Sequence, residues 1–394
     1  AWFPFPFVRK PSLPGLAAYY ALLAAIVWRA PLLERVRPRW ARLPRAARRA
    51  AAIAVPLLLA AALATRAILA GRPDGRLRVT VLAVNYGSAI LIRTPGGQNV
   101  LVDTGHVQQD RARRNDAEWT ILPYLSARGI RALDWLVLTA PAAERTLGAA
   151  SCYEHLRVRR VLQPDSDLNF PGADRLNAAM KRRNASRFWS WLAGTRGFGL
   201  RLRPGLDSEG RPAVLAEEEH NGTAFRIEAF CDPGRTGAPY PLVLRVVYGD
   251  FALLLPSDLT LAQQQELLAR PDTRDLLQAD VVVAPSRGVN RDAPVSAAEE
   301  RIAREFYAAL GVSNIIFEFG NPRPVLGELT RAALESHGRH RRLAEDLVGR
   351  DRVLVTERDG AIQIESDGIH WSLRPTVGDS AQTGEDIPGF DVGL

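Results

Sequence analysis

The sequence predicts an α/β fold of two mixed sheets with helices outside, preceded by two hydrophobic helices. Three features carry this expectation. From Leu77 onward, short runs rich in Val, Ile and Leu alternate with turn residues, the texture of a strand-rich domain. In the second half, apolar runs at 281–283 and 315–317 are separated by helix-length segments, as in βαβ connections. Upstream of both lie two uncharged apolar segments. At 394 residues the chain can form one large or two ordinary domains with a true core.

The first apolar segment, 16–28, holds 13 residues and the second, 50–65, holds 16. Each falls short of the ~20 residues of a simple membrane span. Each can still cross if Arg29 or Arg66 reaches the headgroups; buried or interfacial helices are the alternative. Basic residues exceed acidic ones by eight, which taken alone points to nucleic acid or a membrane surface. The surplus is local. Eight arginines between 29 and 50 face only Glu34, and with Arg9 and Lys10 they leave residues 51–394 at −1. The positive-inside rule places such a basic loop in the cytoplasm. Everything after residue 71 is then expected on the extracytoplasmic side of the cell (inner) membrane. Residues 1–75 are read as a membrane region, 76–374 as the globular domain and 375–394 as a flexible tail. With Ala at position 1 and Met180 as its only methionine, the chain reads as a piece of a longer protein. Cys152 and Cys231 are too few for a disulfide framework, so two buried thiols are expected, with a single bridge as the alternative.

Within the globular part, 77–84 alternates, 88–93 follows, and Thr94-Pro-Gly-Gly97 turns the chain into 99–103, an antiparallel meander. A helix over 118–128 leads into a strand at 135–138, and 158–162 is another strand. A second strand-rich block begins near Ala224, with strands at 225–229, 242–248 and 251–255 and a hairpin turn at Gly249-Asp250. Strands at 353–356 and 361–365, joined by Arg358-Asp-Gly360, read as a closing hairpin.

Several motifs stand in a telling order. They are Leu77-Arg-Val-Thr-Val-Leu82, Ile92-Arg-Thr-Pro-Gly-Gly97, Val100-Leu-Val-Asp-Thr-Gly105, the stretch from Leu122-Pro-Tyr-Leu125 to Leu136-Val-Leu-Thr139, Leu253-Leu-Leu-Pro-Ser-Asp258 and Asp359-Gly-Ala-Ile-Gln-Ile364. In this order residues 77 to about 373 resemble the metallo-β-lactamase-like domain at the C-terminus of the ComEC family, the membrane channel for DNA uptake in natural competence. The resemblance implies a four-layer αββα sandwich behind two membrane helices. It also implies DNA, single-stranded or duplex, as a partner of the parent channel, and a metal-dependent nuclease or hydrolase wherever the metal motifs are complete.

Here they are not complete. The family's T-H-x-D-x-D-H-x-G-G junction, laid on Thr139, puts Ala140, Ala142, Glu144 and Arg145 at the histidine and aspartate positions. A divalent site needs several lone pairs converging on one point; two alanines donate none and a guanidinium repels the metal. The D-V-G-Q-G-D turn has become Ala83-Val-Asn-Tyr-Gly-Ser88, and the P-H-H-G element has become Pro285-Ser-Arg-Gly288. The six histidines, 106, 155, 220, 337, 340 and 370, fall on none of the aligned ligand positions. Asp258 is the only retained ligand-type residue, at the family's bridging carboxylate. No metal set is intact and no cofactor is expected; zinc or manganese enters only under a substituted-ligand reading.

Of the remaining candidates, Asp103 in Val-Asp-Thr-Gly is expected to orient the site without touching a metal. Asp258 reads as a relic, a turn cap or a weak cation contact. Glu144 and Arg145, adjacent and opposite in charge, read as a solvated ion pair. Ser286 and Arg287 could hold an anion. The stretch 181–203 carries seven basic residues and no acidic one, with Phe and Trp interleaved. Lys181, Arg182, Arg183, Arg187, Trp189 and Trp191 are therefore nucleic-acid candidates, because cations follow a phosphate backbone and aromatic faces stack on bases. The alternative is an insertion packing on the domain or on a membrane surface. The leading expectation is a catalytically degenerate, membrane-anchored domain. The competing ones are an active phosphodiesterase using Asp103, Glu144 and Asp258, and a DNA-binding or structural module.

Overall fold

A computed structural model describes residues 73–84, 87–107, 115–164, 170–185, 198–202, 212–230, 241–285, 297–318, 328–377 and 382–384, together with Tyr19, Tyr20, Leu23, Pro44, Ala54 and Leu57. Contacts divide the chain into two units, and the larger contains Asp74–Ser126 and Ile130–Leu394. The two apolar segments expected to cross a membrane lie almost wholly outside the described residues. Among the described residues no helix is long and apolar enough to cross a membrane.

Among the described residues the larger unit holds sixteen strands in two sheets. In the first half run β1 (Leu77–Val81), β2 (Ile90–Arg93), β3 (Asn99–Val102), β4 (Ala132–Val137), β5 (Arg157–Pro164) and β6 (Phe198–Leu202). Then come β7 (Ala213–His220), β8 (Thr223–Phe230), β9 (Val243–Tyr248), β10 (Phe251–Leu255), β11 (Val281–Val283), β12 (Asn314–Phe317) and β13 (Val353–Val355). The chain closes with β14 (Ile362–Ser366), β15 (Trp371–Pro375) and β16 (Gln382–Gly384). One sheet orders β16-β15-β14-β1-β2-β3-β4-β5-β6, the other β13-β12-β11-β10-β9-β8-β7. Each changes from antiparallel to parallel partway across. The predicted meander β1-β2-β3 is antiparallel, and β3 to β6 run parallel; likewise β7 to β10 are antiparallel and β10 to β13 parallel.

Side-chain alternation explains why these strands read as near-continuous apolar runs: both faces are buried. In β2, Ile90 and Ile92 join a core shared with Ile227, Leu244, Val246 and Leu253 of the second sheet. Leu91 between them faces the opposite way, toward Leu101, Leu136, Ile121, Leu125, Cys152 and Leu176. In β11, Val281 and Val283 enter the shared core while Val282 packs with Leu267, Phe306, Tyr307 and Leu310. The layers are therefore helix, sheet, sheet, helix, the four-layer αββα order implied by the resemblance. Helices Leu122–Ala127, Ala149–His155 and Ala173–Ala185 cover the first sheet; Leu261–Ala269, Ala297–Leu310 and Glu328–Val348 cover the second.

Three expectations change. The closing hairpin is not one: β13 pairs with β12 in one sheet and β14 with β1 in the other. Arg358-Asp-Gly360 lies at the end of a helical turn, Thr356–Asp359, where Asp359 accepts from the Val355 amide at 2.7 Å. Gly360, at φ +70°, then lets the chain cross to the other sheet. The second strand-rich block starts earlier than Ala224, because β7 pairs along β8 despite its run Glu217–Glu219. The expected helix over 118–128 opens as a π-turn, Ala117–Ile121, before Leu122–Ala127. At the edge of the first sheet, Gln382–Gly384 adds β16 to β15; most of the tail expected at 375–394 lies outside the described residues.

Cys152 is fully buried under the first sheet, and burial together with Glu118 pushes its thiol up to about 12. Thiolate, not thiol, is the reactive form. In a Cys231→Ser background, labelling of Cys152 by a thiol reagent at pH 8 is therefore expected to be negligible in the folded protein and complete in denaturant. Rapid labelling under native conditions would contradict this placement.

Candidate functional site

The site lies where loops follow the ends of β3, β4, β10 and β12. After Val102 the backbone turns at Asp103, a non-glycine residue at φ 59°. Its amide still continues the ladder, donating to the Val137 carbonyl at 2.8 Å. Such a conformation is uncommon outside glycine, asparagine and aspartate, and it persists because the carboxylate is held on all sides. Asp103 is fully buried and accepts from the Thr139 amide at 2.8 Å and the Thr139 hydroxyl at 2.7 Å.

Three retained glycines bring the loops together. A Cβ on Gly87 would run into the carbonyl oxygen of Glu144, and one on Gly148 into that of Thr104; Gly105 packs against the Asp116 side chain. Close backbone approach leaves room only for hydrogen in place of a side chain. The Ser88 amide donates to the Glu144 carbonyl at 3.2 Å, the Thr104 amide to the Arg145 carbonyl at 2.9 Å, and the Gly105 amide to the Ser88 carbonyl at 2.9 Å. The loop scaffold is thus built from backbone bonds and does not depend on metal ligands.

Into this scaffold the short helix Ala143–Thr146 projects Arg145, whose side chain is 5% exposed. Its Nη1 donates to Asp103 Oδ2 at 2.5 Å and its Nη2 to Asp258 Oδ1 at 2.9 Å. Asp258 follows Ser257, which sits at φ 57° and shares a 2.6 Å hydrogen bond with the Thr139 hydroxyl. Buried Glu318, just past β12, accepts from the Ser88 hydroxyl at 2.9 Å. Asp103, Thr139, Arg145 and Ser88 belong to the first sheet's loops, and Ser257, Asp258 and Glu318 to the second's. The group therefore ties the two sheets together at one end of the sandwich.

The electrostatics follow from burial. Burial by itself would lower the Arg145 pKa, but Asp258 and Asp103 outweigh it, with help from Glu318, and hold it well above the usual arginine value. The guanidinium is permanently charged. Burial pushes the Asp103 carboxyl up, opposed by the Arg145 charge and the Thr139 hydrogen bonds. Beside the bridge a small cleft is lined in part by Asp103, Thr139, Arg145, Ser257 and Glu318. It has room for about one water.

The structure separates the sequence-derived candidates. Asp103, Arg145 and Asp258 meet. Glu144 and Arg145 are not the expected solvated pair: both are buried, and Arg145 turns inward onto two aspartates. A chain loop crossing between two sheet ends leaves no solvated position for it. Asp258 is a cation contact, the cation being a guanidinium. Ala140 is buried, and the Ala142 carbonyl receives the Arg145 and Thr146 amides, so this residue starts the helical turn through its backbone. Ser286 and Arg287 lie outside the described residues, as do Arg187, Trp189 and Trp191. Lys181 and Arg182 are exposed on the helix Ala173–Ala185, which also carries Arg183, and Arg182 pairs with Glu154 at 2.5 Å. The end of the basic stretch is not a free strand: β6 pairs in parallel with β5. Glu318, Ser257 and the partnership of Ser88 escaped sequence reading. The one signal for Glu318 was a carboxylate directly after the apolar run Ile315–Phe317 of β12.

Among the described residues no group of three or more His, Cys, Asp and Glu could hold a metal ion. The residues present do not fit the two-metal centre of the implied fold. Its histidine positions carry Ala140 and Arg145, an aspartate position carries Ala142, and two carboxylates are already taken by a cation from the chain itself.

No protein-family profile matches the chain, and no characterised protein matches it in sequence. Among solved structures it is similar to a CmlA β-hydroxylase mutant, at 13% identity and TM-score 0.37, covering 73% of this chain and 53% of that one. The chain thus spans about half the length of that enzyme. It is also similar to a metal-dependent hydrolase of the β-lactamase superfamily, at 14% identity and TM-score 0.36, covering 65% of this chain and 93% of the other. A third likeness is an archaeal metallo-β-lactamase superfamily protein from Sulfolobus tokodaii, at 13% identity and TM-score 0.31, covering 67% and 98%. Scores this low decide nothing about activity.

Removing one partner of a buried ion pair strands the other charge, at about 3–5 kcal/mol. Asp103→Ala is expected to destabilise the domain by about that amount in urea unfolding. Asp258→Ala should lose distinctly less, since its carboxylate is 29% exposed and water can take its place. No loss at Asp103 would show that the bridge does not hold the fold, and equal losses at both would show that exposure does not weaken the Asp258 arm.

Proposed function

We propose that the chain is a catalytically degenerate metallo-β-lactamase-like domain of a ComEC-like membrane protein, anchored through its N-terminal apolar segments and facing the extracytoplasmic side. Its role is in DNA uptake, as a structural or binding part and not as a hydrolase. The observation that carries this reading is the Arg145 guanidinium seated between Asp103 and Asp258. A hydrolytic centre would need those carboxylates free and imidazoles beside them. The ordered motifs from Leu77 to Ile364 and the layer order support the ancestry. The basic loop between two apolar segments supports the anchoring.

The competing reading keeps a phosphodiesterase built on Asp103, Glu144 and Asp258. Purified protein is expected to carry far less than one equivalent of zinc or manganese by elemental analysis. It should leave single-stranded DNA and a chromogenic phosphodiester intact with Mg, Mn or Zn. Stoichiometric metal, or hydrolysis abolished by Asp258→Ala, would establish the enzyme instead.

A DNA-contacting role for the stretch 181–203 makes a separate demand. Binding of single-stranded DNA should weaken steeply with salt and drop on joint replacement of Arg187, Trp189 and Trp191. Unchanged binding in that variant would exclude this stretch as the contact, and no binding by the parent protein would leave the domain a structural role.

A further inference from the structure

Resting on the reading of Arg145 as the site's own cation, we infer that its position is a guanidinium-selective site. Emptied of the arginine side chain, it would accept a small alkylguanidinium and discriminate against divalent metal ions.

The shape of the donor set decides the selectivity. Two different nitrogens of one planar group reach two carboxylates on different sheets, Nη1 to Asp103 Oδ2 at 2.5 Å and Nη2 to Asp258 Oδ1 at 2.9 Å. A guanidinium supplies donors in a fixed fork that spans such a pair. A divalent ion needs several ligands converging on one point, typically tetrahedral for zinc and octahedral for manganese, and the described residues offer no group of three. An ammonium is a compact point charge that cannot serve both carboxylates with the same geometry.

The receptor survives loss of the side chain because the backbone beneath it is held independently. The Arg145 carbonyl accepts both the amide and the hydroxyl of Thr104 at 2.9 Å, and the Arg145 amide donates to the Ala142 carbonyl at 3.0 Å. Asp103 stays anchored by two bonds from Thr139, which is itself bonded to Ser257. Truncation at position 145 would therefore leave a buried slot with a carboxylate at each end, continuous with the cleft already beside the guanidinium. Glu318 on that cleft adds negative charge.

The test is thermal unfolding of the full chain with Arg145→Ala, read against N-ethylguanidinium, tetramethylammonium, MnCl₂ and ZnCl₂ at matched ionic strength. The variant should melt well below the parent. N-ethylguanidinium should raise its melting temperature by about 3 °C at roughly tenfold above Kd. The other cations should not, and the parent protein should respond to none. Adding Asp258→Asn should remove the rescue. A rise with manganese or zinc equal to that with N-ethylguanidinium, or no rise with any cation, overturns the inference. If Arg145→Ala does not fold, refolding yield with and without N-ethylguanidinium reads the same selectivity. Arg145→Lys supplies a second check: a melting temperature equal to the parent's would show that charge alone suffices and the fork does not matter. A metal-loaded, hydrolytically active parent would instead sink the degenerate-domain reading, so the two failures are told apart.

Discussion

The guanidinium of Arg145 is buried, charged and shared between carboxylates from both sheets, and the loop end of the sandwich is organised by that sharing. A charge taken out of water is costly unless opposite charges and hydrogen bonds compensate it. Compensation here comes from Asp103 and Asp258 directly and from Glu318 at longer range. Each partner has its own constraint. Asp103 adopts a left-handed conformation and is fastened by Thr139; Ser257 adopts one too and bonds the same hydroxyl. Loss of the cation would leave carboxylates facing one another in a nearly dry cleft.

A metal centre and this bridge solve the same electrostatic problem in different ways. Carboxylates gathered at the ends of strands repel one another and require a cation. A divalent ion supplies it with open coordination positions and hence chemistry; an arginine supplies it with none. The charge is also covalently part of the fold. What such an arrangement gains is a fixed link between sheets. What it gives up is a vacant position for a water or a phosphate oxygen.

Much of the architecture was legible because two periodicities coincide in it. Alternation with both faces buried made β2, β3, β9, β10, β11 and β12 stand out as apolar runs, and Thr94-Pro-Gly-Gly97 and Gly249-Asp250 marked their turns. Readings failed where local pattern and long-range pairing disagree. The strands flanking Arg358-Asp-Gly360 look like a hairpin because they are short, apolar and three residues apart in effect, yet each finds a partner in a different sheet. Strand β7 hid behind three consecutive glutamates, whose pairing with β8 leaves exposed side chains free to be charged. At the site, the alanines at 140 and 142 were informative on their own, since a methyl group cannot ligate. The role of Arg145 was not, because adjacency to Glu144 suggested a partner that the fold does not use.

The amino-acid sequence by itself determined the layer-forming strands, the glycines that allow the loops to touch, and the absence of imidazole donors from the places where a metal would need them. These follow from residue type and local periodicity alone. Only the tertiary structure decided where the charges of Arg145, Asp258 and Glu318 go. Arg145 meets Asp103, 42 positions away, when the first sheet pairs β3 with β4, and Asp258, 113 positions away, only when the two sheets close face to face, and no short-range rule encodes either distance. An arginine in place of a ligand-type residue is visible in sequence; an arginine bridging two carboxylates is visible only once those carboxylates are in position.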